Sequence, residues 1–337
     1  MTTRRTLYFT ASKQVELREE PVPVPASDQA LVETLLSAIS SGTEMLVYRG
    51  QFPKDLSDTH DAFSSELRYP LAYGYACVGR VTQTGKAVDR KWIDQLVFAF
   101  QPHTSHFIAD PATLIPLPSD LSPEAAAFLP NMETAVNLVQ DGAPILGERA
   151  LVFGQGIIGL LTTALLKRFP LEGLITVDRF DRRRKASLDL GVTAALDPDA
   201  PDFENQARAL IPAGADLTFE LSGAPDALNP AIALTTFSGR ILIGSWYGEK
   251  RAPLDLGGRF HRSRIKLIAS QVSTISPELS GRWDKPRRFA VAWNMLREIQ
   301  PQKWITHRFN IEQAAEAYAL LDRQPQDTIQ ILLTYPS

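Results

Sequence analysis

The chain has a single cysteine, Cys77, in 337 residues. One thiol excludes an intramolecular disulfide and any thiolate cluster for zinc or an iron–sulfur centre. Histidine is scarce as well, at five. No apolar run approaches the roughly 18 residues that a membrane span requires. Thr6-Leu7-Tyr8-Phe9, behind Arg4 and Arg5, is too short for the core of a signal peptide. The expectation is a cytoplasmic protein with no membrane partner. An excess of one charge is also lacking. A formal net charge of −3 gives no electrostatic reason to expect nucleic acid. The one basic run, Arg179 to Lys185, is broken by Phe180 and Asp181 and reads as a solvated helix start. Internal repeats and low-complexity segments are missing too.

What remains is globular: 44% hydrophobic and 22% charged residues, in a length that suggests about two domains. The first part reads as short strands, at Ala30 to Leu36, Cys77 to Val81 and Leu96 to Phe100. Pro21, Pro23 and Pro25 form a stiff extended connection. Ser122-Pro123 is a helix start, and Ala125 to Val139 follows as one apolar helical segment. Beyond Arg149 the pattern changes to strands alternating with helices. Strands are expected at 150–153, 174–177, 217–220, 240–244 and 265–269, with helices near 184–190, 226–234 and 287–299. A last strand is expected at 329–333. Such alternation argues a parallel, doubly wound sheet.

Gly154-Gln155-Gly156-Ile157-Ile158-Gly159 follows the first of these strands and opens an apolar helix. The first glycine permits a tight turn, the second admits a pyrophosphate, and the third lets helix and strand pack closely. The helix N-terminus then offers free amides to phosphate. The next strand ends at Asp178, nineteen residues after Gly159, where an acid can accept hydrogen bonds from a ribose diol. A carboxylate there repels a 2′-phosphate, so NAD is expected. NADP stays open, because Arg179, Arg182 and Arg183 could pair that phosphate.

A β-rich start, a dinucleotide domain and a returning tail resemble the medium-chain dehydrogenase/reductase superfamily. The likeness is carried by Pro70 to Tyr75, Phe128-Leu129-Pro130 through Thr134-Ala135, Asp216 to Gly223, Gly239 to Gly244, Ile305 to Phe309 and Glu316-Ala317-Tyr318. It implies an α/β fold: a Rossmann doubly wound parallel sheet (123–274) plus a GroES-like β-barrel catalytic domain (1–122 and 275–337). It also implies a homodimer joined through the nucleotide-binding sheets, with the strand Arg240 to Gly244 and Trp246-Tyr247 at the contact. Thr134, Ser222 and Gly244 join the glycine turn, Asp178 and Arg179 as implied cofactor-binding residues.

Where the superfamily's zinc branch carries Cys, His and a third Cys or acid, this chain has Ser41, Tyr75 and Pro130. Hydroxyl, phenol and proline are not zinc ligands, so no metal is expected. Within the superfamily, Ala38 to Glu44, Val47 to Gly50 and Gly74-Tyr75 most resemble the 3-hydroxyethyl bacteriochlorophyllide a dehydrogenase group. That likeness implies a secondary alcohol or ketone on a bulky ring substrate. Tyr75 is then the acid/base, with Thr43 and Ser41 orienting the substrate oxygen. Glu44 matches an acid behind the zinc ligands of relatives. Asn131 and Glu133 stand beside a lost ligand position, and His103, His106, His307 and Cys77 read as structural. Two other functions are compatible with the sequence: an NADPH-dependent C=C reductase of the quinone or enoyl type, and a nucleotide-binding protein without turnover.

Overall fold

The computed structural model describes residues 3–53 and 67–336. The chain divides into two compact units, one of Met1–Pro130 with Leu296–Ser337 and one of Asn131–Met295. Both divisions fall further along the chain than the sequence placed them.

The first unit begins with β1 (Thr3–Ala11), β2 (Gln14–Pro21), β3 (Ala30–Ile39), α1 (Thr43–Arg49), β4 (Leu71–Ala72), β5 (Cys77–Thr84), β6 (Leu96–Ala99), β7 (His106–Ala109), β8 (Ile115–Pro116) and α2 (Pro123–Ala126). The expected extended connection starts where β2 ends, at Pro21. Ser122 caps α2, its Oγ accepting from Ala125 N at 3.2 Å. The single helix expected from Ala125 to Val139 is instead α2 followed by a separate α3 (Leu129–Gly142). Pro130, second in α3, cannot donate to a preceding carbonyl, so a helix starts there more readily than it continues.

The second unit holds β9 (Arg149–Phe153), α4 (Ile157–Leu166), β10 (Gly173–Val177), α5 (Asp181–Leu188), β11 (Ala194–Leu196), α6 (Phe203–Leu210), β12 (Ala215–Glu220), α7 (Leu228–Leu234), β13 (Thr235–Ile243), β14 (Lys266–Ala269) and most of α8 (Lys285–Ile299). Its sheet runs β11-β10-β9-β12-β13-β14, and every pairing is parallel. That order reverses direction between β9 and β12, the switch point of a doubly wound Rossmann sheet. Leu151, Phe153, Ile175, Val177, Phe203 and Ile241 belong to one buried cluster under the helices. The strand expected at a subunit contact, Arg240 to Gly244, falls within β13 except for its last residue, and β13 lies between β12 and β14. Its backbone is already paired on both sides, so it cannot serve as an edge. The free edge on that side is β14.

The chain then returns to the first unit through β15 (Ile305–Asn310), α9 (Ala314–Arg323) and β16 (Gln330–Thr334). β16 pairs antiparallel with β3, which also pairs with β5 and β7. β3 is therefore central and almost wholly buried, as its apolar run foretells. Leu7, Phe9, Met45, Tyr48, Tyr318 and Leu333 share one core, so α1, β1, α9 and β16 are packed together by side chains far apart in sequence. This is the GroES-like part of the α/β fold.

Candidate active site

In the second unit the glycine turn bridges β9 and α4. Gly154 has φ +85, and a Cβ there would lie 2.5 Å from the Leu221 carbonyl oxygen. A Cβ on Gly159 would lie 1.9 Å from the Gly154 carbonyl oxygen. Both positions therefore demand glycine, the first for conformation and contact, the second for helix–turn packing. A Cβ on Gly156 would meet only Arg183 Nη1, at 3.8 Å. The sterically open glycine is thus the one at the start of α4, where Ile157 and Ile158 form the first turn. The turn is held from within: Gln155 is buried, its Nε2 donates to Gly154 O at 3.0 Å, and Thr163 donates to its Oε1 at 3.1 Å.

Asp178 follows β10 and is 7% exposed. Its Oδ2 accepts from Gln155 N at 2.7 Å and its Oδ1 from Phe180 N at 2.8 Å. The acid thus ties the end of β10 to the glycine turn. Arg179 points outward and reaches Asp199 at 3.3 Å, whereas Arg183 lies over the Phe180 ring and 4.0 Å from Asp178 Oδ2. Burial lowers the Arg183 pKa and the Asp178 carboxylate opposes that shift. Ser222, after β12, donates its amide to Glu220 Oε1 at 2.8 Å. Gly244, after β13, is small for a packing reason, since a Cβ there would lie 2.6 Å from both Leu138 and Leu221 side chains. Thr134 sits half-buried on α3. Taken together, the open glycine at a helix N-terminus, with an acid beside it, fits a dinucleotide pyrophosphate and ribose.

In the first unit, the turn entering α1 and the segment before β5 bring hydroxyls together. The Tyr75 hydroxyl is hydrogen-bonded to the side chains of Ser40 and Thr43. Burial, and then the nearby Glu44 carboxylate, push its pKa up from 10.0 to about 12. Tyr75 and Thr43 therefore meet, joined by Ser40. Ser41 is half-buried, directly before the N-cap Gly42 of α1.

Glu44 is fully buried beneath this cluster. Its Oε1 accepts from Ser40 N at 3.0 Å, and its Oε2 accepts from His103 Nε2 at 2.9 Å and from the Tyr318 hydroxyl at 2.5 Å. Sequence reasoning singled out neither Ser40 nor Tyr318 for a role, and it left His103 as an isolated structural histidine. Nothing local marks these residues. The Glu44 partners lie 59 and 274 residues away, and only the folded sheets bring them in.

The remaining candidates have structural partners. Glu133 accepts from Lys285 Nζ at 2.8 Å and from the buried Arg288 at 2.8 and 3.0 Å, within the second unit. Cys77 Sγ donates to the Gln101 and Pro102 carbonyls, both at 3.3 Å, and burial pushes its pKa up. His106 Nδ1 lies 3.0 Å from Ser105 Oγ, and His307 stacks on Phe309.

The donor set at Ser41, Tyr75 and Pro130 does not fit zinc, which takes thiolate, imidazole or carboxylate. Among the described residues no three His, Cys, Asp or Glu side chains gather as a metal group.

Residues 158–285 match the family model described as zinc-binding dehydrogenase. L-threonine 3-dehydrogenase of Xanthomonas campestris pv. campestris is 25% identical, over 93% of this chain and 94% of its own. Among solved structures, 2R,3R-butanediol dehydrogenase from Bacillus subtilis superposes with a TM-score of 0.80 at 19% identity, over 99% of this chain and 100% of that one. The RspB alcohol dehydrogenase from Escherichia coli CFT073, complexed with NADH, has a TM-score of 0.79 at 18% identity, over 99% and 100%. The structural likenesses show the same two-part fold.

Proposed function

We propose that this chain is an NAD-dependent oxidoreductase that interconverts a secondary alcohol and a ketone, without zinc, and that it works as a homodimer. The observation that carries the reading is the hydroxyl cluster, in which Ser40 and Thr43 hold the phenol of Tyr75, the residue that stands where the resemblance puts one of the metal ligands. The substrates in two of the related names, L-threonine at carbon 3 and 2R,3R-butanediol, are secondary alcohols. The bulky ring substrate rests on the subgroup resemblance of residues 38–50 and 74–75.

The cofactor would be held by Gly154 through Gly159 at its phosphates and by Asp178 at its ribose, with Thr134, Ser222 and Gly244 alongside. Bound there, nicotinamide supplies or takes the hydride. The chain's own part is proton handling. A phenol pushed up to about 12 stays protonated at neutral pH, so Tyr75 donates a hydrogen bond to a ketone oxygen. As hydride arrives and charge grows on that oxygen, Tyr75 gives up its proton to it. An alkoxide is more basic than even this phenolate, so the transfer runs downhill. Thr43 and Ser40 then stabilise the phenolate through the hydrogen bonds they already make. Ser41 orients the substrate oxygen directly, and Thr43 does so through the Tyr75 hydroxyl that it holds. Asp178 opposes the extra charge of a 2′-phosphate, while Arg183 at the same turn tempers the discrimination.

The test is a panel of ketones, secondary alcohols, quinones and enones, including bulky ring systems, run with NADH and NADPH. Ketone or alcohol turnover with NADH supports the reading. Turnover confined to C=C bonds with NADPH would replace it, and binding of NADH without turnover on any substrate would reduce the chain to a nucleotide-binding protein. Metal analysis of tag-free protein belongs with the panel. Near-stoichiometric zinc that survives chelation would remove the zinc-free part.

A further inference from the structure

We propose that His103 is a positioning residue that sets the hydroxyl cluster, acting through Glu44 and through the backbone that carries Tyr75. The inference rests on reading Tyr75 and Thr43 as the proton-handling groups. The imidazole is fully buried with both nitrogens engaged: Nε2 lies 2.9 Å from Glu44 Oε2, and Nδ1 lies 2.6 Å from Ser37 Oγ. Ser37 Oγ in turn lies 2.7 Å from the Tyr335 hydroxyl. With Glu44 as a carboxylate, the Nε2–H donates to it, while the Ser37 hydroxyl bridges Nδ1 and Tyr335. The other oxygen of Glu44 accepts from Ser40 N, so the carboxylate pins the turn from which Ser40 and Thr43 reach Tyr75.

The same residue also meets the second segment. Gly74 has φ +131, and a Cβ there would lie 2.9 Å from His103 Cδ2 and 3.0 Å from Nε2. The His103 amide donates to Tyr73 O at 3.3 Å. One residue therefore touches both strips of backbone on which the hydroxyls stand, residues 40–44 through its side chain and Glu44, and residues 73–75 through ring packing on Gly74 and its own amide. A residue present only to fill space would need neither nitrogen. A fully buried carboxylate, by contrast, requires donors of this kind.

The test compares His103→Phe, which keeps a ring and loses both hydrogen bonds, with His103→Gln, whose amide can still donate to Glu44. Two readouts are taken: steady-state kinetics on the best panel substrate, and amide hydrogen exchange. His103→Phe should lower kcat about 10- to 100-fold, with KM and NADH affinity little changed. Exchange should quicken in residues 38–46 and 72–78 while the β1–β2 hairpin keeps its protection. His103→Gln should recover most of both. Wild-type kcat and exchange in His103→Phe would overturn the proposal. So would a uniform loss of protection across the first unit that Gln does not mend, because that marks a core residue. The exchange arm needs no substrate. A wild-type protein inactive on the whole panel would sink the proposed reaction, and exchange alone would then decide the role of His103.

Discussion

Tyr75 combines two demands that rarely meet in one side chain. It is half-buried, yet its hydroxyl is engaged by Ser40 and Thr43 above a buried carboxylate. Tyr75→Phe removes only that hydroxyl, so the ring's packing survives and the proton does not. Turnover should fall about 100- to 10,000-fold, the usual range for general acid catalysis, with NADH affinity unchanged in a fluorescence titration. Near-normal turnover would make Tyr75 a packing residue and move the role to Thr43 or Ser41. Thr43→Val, which nearly preserves volume, should also slow the reaction. The pH dependence follows from the direction of the shift. A phenol raised from 10.0 to about 12 contributes stability that is present below pH 10 and is lost as pH climbs towards 12. Ketone reduction should therefore show no loss attributable to this group between neutral pH and pH 10. Cys77 makes the opposite kind of prediction. With its thiol raised by burial and bonded to two carbonyls, it should resist alkylation in the native protein and react only after unfolding.

At the scale of elements, the glycine turn is the most sharply specified piece of the chain. Gly159→Ala would place a methyl group against the Gly154 carbonyl, where the backbone itself must move. The variant should lose about 1–3 kcal/mol of stability, read by denaturant unfolding, and should bind NADH more weakly in the same titration. Unchanged binding would mean that the turn does not hold the cofactor. This turn was legible in the sequence because its logic is local: strand, glycines, helix and the Asp178 acid lie within one stretch of chain. The same locality made β9, β10 and β12 readable, each a short, mostly buried run between helices, and β14 as a short apolar-centred one. The first unit is different. Its β3 is recognisable as apolar, but its partners β5, β7 and β16 come from separate regions of the chain. The α2–α3 break was misread because a run of alanines gives no sign of interruption until Pro130 is placed near a helix start. Glu44 was visible as an acid after Ser-Gly-Thr, whereas His103 and Tyr318 carry no spacing signal at all. Their roles exist only once α1, the loop before β7 and the returning helix α9 have converged.

For the whole molecule, the proposed homodimer has to be built from what the second unit leaves unpaired. β13 is enclosed, so the edge available beyond it is β14, Lys266–Ala269. An exposed strand edge presents open amides and carbonyls, and a second copy related by a two-fold axis can satisfy them. Such an axis pairs the strands antiparallel. Lys266 of one copy then faces the Ala269 end of the other, so the two lysines do not meet, and half-buried Leu267 and Ile268 lie at the centre. The dimer predicts protection against hydrogen exchange of those amides of residues 266–269 that face away from β13, at micromolar concentration, fading on dilution as the mass by sedimentation falls to that of one chain. A single-chain mass at all concentrations, with those amides exchanging freely, would remove the dimer. A dimer by sedimentation with β14 still exchanging freely would move the contact elsewhere and leave the sheet edge open to solvent.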